Sequence, residues 1–125
     1  MEKVLGLGGV FIRARNPKAL AAWYCENLGI DLVPGDYETP AWQQSAGTCV
    51  FAPFDADTTY FPSTQQVMLN FRVRSLDAII GQLTAAGVEV TTDPDSPQPN
   101  GSFAWAQDPE GNRFELWEPL GETYS

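Results

Sequence analysis

The chain contains no histidine. Ser-His-Asp triads, Cys-His dyads and histidine general bases are excluded, and so are zinc and iron sites that depend on imidazole. Cysteine is scarce. Cys25 and Cys49 are the only two, too few for a four-cysteine zinc site in one chain and too sparse for a disulfide scaffold, so both read as reduced core thiols. Basic residues are also few: seven Lys plus Arg stand against sixteen Asp plus Glu, a formal net charge of −9. That balance disfavours nucleic acid and anionic membrane surfaces as partners and would attract a cationic ligand. No apolar run approaches the ~18 residues of a membrane span, and the N-terminus lacks a basic-then-apolar signal pattern. A cytoplasmic protein that does not enter membranes is expected.

What remains is an ordinary globular composition, 43% hydrophobic and 18% charged over 125 residues, enough for one domain with a real core. From Leu5 to Arg15 the pattern alternates, with Val10, Ile12 and Ala14 on one face and Gly9, Phe11, Arg13 and Arg15 on the other, which predicts a strand. Gly6-Leu7-Gly8-Gly9 precedes that strand instead of following one and lacks a third glycine in register, so it is no dinucleotide loop. Asn16-Pro17 is a helix start, with Leu20, Trp23, Tyr24, Asn27 and Leu28 along one helical face and Gly29 placed to end it. Ile30 to Val33 predicts a further strand, and Trp42 to Gln44 and Thr48 to Phe51 the arms of a hairpin around Ser45-Ala46-Gly47.

Asp55 to Gln66 has no period. Its Asp-x-Asp start resembles a calcium loop, but Tyr60 stands where that loop needs glycine and Gln66 where it needs glutamate. A linker anchored by burial of Tyr60 and Phe61 fits better. Val67 to Arg74 is again strand-like, Ser75 an N-cap, and Leu76, Ile79, Ile80 and Leu83 a helical stripe before Gly87 and a strand Val88 to Thr91. Cap to cap and glycine to glycine, the two halves are offset by 59 and 58 residues, the signature of an internal duplication.

The chain closes on Asp108-Pro109-Glu110-Gly111-Asn112-Arg113-Phe114-Glu115-Leu116-Trp117-Glu118-Pro119. Asp, Pro and Gly at the first, second and fourth places fit a type I turn leading into a hairpin with arms Phe103 to Gln107 and Arg113 to Glu118. Alternation then places Arg113, Glu115 and Trp117 on one face and Phe114, Leu116 and Glu118 on the other.

This ending, the duplication and the helix Pro17-Lys18-Ala19-Leu20-Ala21-Ala22-Trp23-Tyr24 leading into Asn27-Leu28-Gly29-Ile30 resemble the glyoxalase, bleomycin-resistance and extradiol-dioxygenase superfamily, also called vicinal oxygen chelate proteins. The resemblance implies an α+β fold of two βαβββ modules in tandem, forming an open, curved mixed sheet, a cup, with the helices outside. One domain spans the chain: module 1 at about 4–54, a linker at about 55–66 and module 2 at about 67–120. In metal-dependent relatives four ligands meet in the cup. The matching places here are Gly9, Phe51, Met68 and Glu115, and of these only Glu115 can ligate a hard divalent metal, so the metal site reads as lost and no cofactor is expected.

By alternation the cup walls carry Phe11, Arg13, Cys49, Phe51, Met68, Asn70, Arg72, Glu115 and Trp117, with Phe103 or Trp105 nearby, an apolar and aromatic lining with a few directional polar groups. Two functions follow from the resemblance. The first is binding of a small aromatic or amphipathic molecule without a complete metal site, as in bleomycin-resistance-type binders. The alternative is a lyase or isomerase in which Glu115 transfers a proton while Arg72 or Asn70 steadies a carbonyl or carboxylate. A homodimer is expected, because relatives complete their cups by pairing or swapping modules and an open sheet leaves edges to cover.

Overall fold

The computed structural model describes residues 1–121. Among these residues two helices and four strands form: α1 (Pro17–Leu28), β1 (Asn70–Arg72), α2 (Leu76–Ala85), β2 (Thr91–Thr92), β3 (Gly101–Gln107) and β4 (Arg113–Pro119). Local chemistry sets both helices. The Asn16 side chain accepts from the Ala19 N–H at 3.2 Å, Pro17 occupies the first turn, and Gly29, at φ 70°, ends α1 by donating to the Cys25 carbonyl. In α2 the Ser75 hydroxyl accepts from the Ala78 N–H at 3.2 Å.

The strands make one open sheet in the order β1-β4-β3-β2, with β1 parallel to β4 and the other pairs antiparallel. That is the expected α+β class, an open mixed sheet with two helices. Side chains alternate across it. Phe71, Ala104, Ala106, Phe114 and Leu116 face the helices and pack with Leu20, Tyr24, Leu76 and Leu83 into the core. Phe114, Leu83 and Leu116 are wholly enclosed, each worth roughly 1.5–3 kcal/mol of burial. Gly101, at φ 128°, lets β3 start tight against β4, since a Cβ there would run into the Glu118 carbonyl.

The turn between β3 and β4 does more than reverse the chain. Asp108 is buried, and its Oδ1 accepts from the backbone N–H groups of Glu110 and Asn112 while its Oδ2 accepts from the Tyr24 hydroxyl and the Asn112 amide, both at 2.7 Å. Glu110 accepts from the Arg15 and Asn16 N–H groups at 2.5 and 3.0 Å, and those bonds hold its carboxyl below the usual range. Helix α1, from the first half of the chain, is thereby fastened to the second half's hairpin. Glu118 does the corresponding job for α2, accepting from the Leu76 N–H at 2.8 Å.

The first half differs from the alternation-based expectation. The segments 5–15, 30–33, 42–44 and 48–51 form no ladder among the described residues, and the second-half strands are shorter than expected, β1 covering Asn70–Arg72 and β2 Thr91–Thr92. α1 docks on the sheet of the second half, and the strand-like stretches on either side of it join no sheet among the described residues. Within these stretches Ala14 and Ile30 pack against the core, but many other apolar side chains stand in solvent, Leu5, Phe11, Val33 and Phe51 among them.

Candidate functional site

The face of the sheet turned away from the helices carries Asn70, Arg72, Phe103, Trp105, Gln107, Arg113, Glu115 and Trp117, as the strand register dictates: Asn70 and Trp105 both stand opposite Glu115, Arg72 and Phe103 opposite Trp117. Glu115 is at its centre and only 7% exposed. A buried carboxylate needs donors, and three neutral groups supply them. Oε1 accepts from the Asn70 amide at 2.6 Å; Oε2 accepts from Trp105 Nε1 at 2.8 Å and from the Tyr60 hydroxyl. Because a carboxylate cannot donate, the Asn70 side-chain orientation follows from the chemistry of its partner.

Aromatic rings surround this centre. Tyr60 meets Trp105 edge-on at 6.1 Å, and the Arg113 guanidinium lies over both rings, 5.3 Å from the Trp105 centroid and 5.9 Å from that of Tyr60. Arg113 thus takes the cationic place between the two rings; its Nε is buried without a hydrogen-bond partner among the described residues. Farther along the face Phe103 and Trp117 lie parallel, centroids 6.1 Å apart and planes within 2°, with Trp117 Nε1 donating to the Asn100 carbonyl at 2.8 Å. One end is therefore polar and filled, the other a flat aromatic pair.

Sequence reasoning placed Met68, Asn70, Arg72, Trp105, Glu115 and Trp117 at the cup. Asn70, Arg72, Trp105, Glu115 and Trp117 share one sheet face, with Met68 half-buried two residues before β1. Phe11, Arg13 and Phe51 do not reach that face in their own chain: Phe11 and Phe51 are 96% and 87% exposed, and Arg13 sits in a shallow recess with Glu110 and Asn112. Cys49 is likewise exposed. Arg72 donates to the Ser45 and Ala46 carbonyls at 2.6 and 3.3 Å, so it tethers the 45–47 turn to the sheet.

Two linker residues were missed as site residues. Tyr60 is held by its hydrogen bond to Glu115 more than by burial, being 37% exposed. Gln65 pairs its side-chain amide with both backbone groups of Arg113, donating to the carbonyl at 2.7 Å and accepting from the N–H at 3.0 Å, as a neighbouring strand would. Neither contact has a periodic signature; the unusual cue was a tyrosine and a glutamine in a segment otherwise short of core residues.

Burial, and then the hydrogen bond to Glu115, push the Tyr60 phenol up from 10.0 to about 12. A group raised in the folded state gives stability that is whole below its unfolded value and is lost as pH rises through the folded one. Tyrosinate absorbance should therefore show one residue ionising near pH 12, with the Tyr60 ring released from Glu115 over that step. The step should vanish in Tyr60→Phe; persistence would assign it to another tyrosine.

The donor set does not fit a metal. Among the described residues no three His, Cys, Asp or Glu lie together in a way that could hold one, and both Glu115 oxygens already face uncharged donors of the protein.

An open mixed sheet that keeps both helices on one face and turns a carboxylate ringed by aromatics to the other has the architecture of glyoxalase and bleomycin-resistance proteins. Residues 9–117 match the family described as Glyoxalase-like domain, and the chain belongs to it. Among solved structures it is 26% identical to TnmS3, an antibiotic-binding protein from Streptomyces sp. CB03234, over 83% of this chain and 88% of that one, with a TM-score of 0.51. It is 25% identical to a glyoxalase/bleomycin resistance protein from the same organism, over 86% and 95% of the two chains, with a TM-score of 0.54. A glyoxylase/bleomycin resistance protein/dioxygenase domain from Frankia sp. EAN1pec shares the fold at 23% identity and a TM-score of 0.60, covering 94% and 99%. No curated protein matches the sequence. Among the described residues no helix is long and apolar enough to cross a membrane.

Proposed function

We propose that this protein binds a small aromatic or amphipathic molecule on the cup face of its sheet, without a complete metal site, as a cytoplasmic homodimer. The observation that carries the reading is the state of Glu115: a carboxylate fully engaged by three neutral donors, beside a parallel Phe103–Trp117 pair in which Trp117 is buried and Phe103 half-buried. Stacking on such a pair contributes about 0.5–1.5 kcal/mol beyond the area buried. The similarity to an antibiotic-binding protein supports binding over turnover. Phe11, Arg13 and Phe51, which do not reach the face in their own chain, are supplied in this reading by the second copy, whose arms close the cup. Proton transfer by Glu115, the lyase or isomerase alternative, would first have to break the bonds that hold it.

Fluorescence of Trp117 should respond saturably to a member of a panel of aromatic amines, quinones and peptide antibiotics, with the ligand recovered unchanged. Glu115→Gln presents an amide to donors that need an acceptor and should weaken binding by about 1–3 kcal/mol. Conversion of the ligand, abolished by that substitution with binding intact, would establish the enzyme instead.

A further inference from the structure

Tyr60 belongs to the linker, which contains no helix or strand, yet its phenol reaches the buried centre of the cup face. Its hydroxyl donates to Glu115 Oε2 and accepts from Trp105 Nε1 at 3.2 Å. Its ring stands edge-on against Trp105 at 85° under the Arg113 guanidinium. An acceptor and a donor thus converge on one aromatic hydroxyl while a ring wall and a cation meet its ring, which is a full recognition set for a phenol.

We propose that Glu115, Trp105 and Arg113 form a subsite for a phenolic hydroxyl, that of a hydroxylated aromatic ligand, which Tyr60 occupies in this structure and yields in exchange. The inference rests on the reading that the cup face binds a small aromatic molecule, and it deepens that reading by naming the group bound at the polar end. Exchange is feasible because Gln65 fastens the linker to the Arg113 backbone independently, so the Tyr60 ring can leave while the linker keeps its register. The phenol must keep its proton. Glu115 Oε2 already accepts from Trp105 and requires a donor, so a phenolate would set two anions face to face, and a plain aromatic hydrocarbon would leave the carboxylate short of a donor.

The probe is p-cresol, the tyrosine side chain as a free molecule, with toluene as the control lacking the hydroxyl. Calorimetric titration should show p-cresol binding Tyr60→Ala at least ~10-fold more tightly than wild type, a factor of the size expected when one hydrogen-bonded group is regained. Toluene should show no such gain, and adding Glu115→Ala should remove it. Equal p-cresol affinity in wild type and variant, or an equal gain for toluene, would overturn the proposal. The wild-type protein gives a second test that needs no variant to fold: saturating p-cresol should move the Trp105 indole N–H resonance, and a resonance that stays put overturns the proposal. Panel ligands that still perturb Trp117 in that case would leave the binding function standing and remove the phenol subsite alone.

Discussion

Asp108→Ala is expected to cost about 3–5 kcal/mol of stability, because it leaves several donors without an acceptor at about 1–3 kcal/mol for each that is buried. The side chain is 4% exposed and accepts four hydrogen bonds. Alanine would leave the Tyr24 hydroxyl buried without an acceptor and free the two turn N–H groups that shape the hairpin. It would also remove one of the hairpin's polar holds on α1, leaving those that Glu110 makes with Arg15 and Asn16. Tyr24→Phe separates these effects. It removes one donor and leaves Asp108 three, so it should cost about 1 kcal/mol. Burial, together with Asp108, raises the Tyr24 phenol far above its ordinary range, so the bond is whole at neutral pH and is lost only in strong alkali. Urea unfolding followed by circular dichroism measures both variants. An Asp108→Ala midpoint within ~1 kcal/mol of wild type would mean that packing of Leu20 and Tyr24, not the turn, holds α1 in place.

The second half was legible because its partners are local. The Asp-Pro-x-Gly turn fixes the β3–β4 register, and once the register is fixed period 2 decides that Glu115 faces the cup and Phe114 the helices. Both helix caps followed from Asn16, Gly29 and Ser75, which act within one turn of chain. The first half carries alternation just as clear from Leu5 to Arg15, but alternation says which side chains share a face and nothing of where the backbone partner comes from. The same limit hid the linker's role. Tyr60 lies 55 residues from Glu115 and Gln65 lies 48 from Arg113, and contacts of single side chains over such separations leave no mark on periodicity. Charge was misleading locally: a chain of net charge −9 nonetheless places Arg113 between the aromatic rings where a cationic ligand would have been expected.

Substituting aspartate at both Phe11 and Phe51 is expected to break the proposed dimer. The two side chains are among the most exposed apolar groups of the first half, 96% and 87%, while the helix between their segments is firmly docked: Glu110 holds its start, and Gln82 donates to the Asn27 carbonyl at 2.8 Å near its end. Arms that leave a fixed helix at residues 13–15 and 29–31 with their apolar faces in water are suited to lie against a second copy of this chain, where its open sheet edge offers the missing ladder. Light scattering of the wild type should therefore give twice the 13.7 kDa chain mass at micromolar concentration. Each buried Phe contributes roughly 1.5–3 kcal/mol, and each substitution occurs twice in a symmetric dimer. The double variant should accordingly dissociate at least ~1,000-fold more readily, with a rise in dye binding to the newly exposed faces. Urea unfolding of the second half, whose core of Phe114, Leu83 and Leu116 contains neither residue, should keep a cooperative transition. A wild type of single-chain mass would defeat the dimer. A double variant that stays dimeric would show that the arms pair through backbone ladders alone, with Phe11 and Phe51 pointing away from the joint.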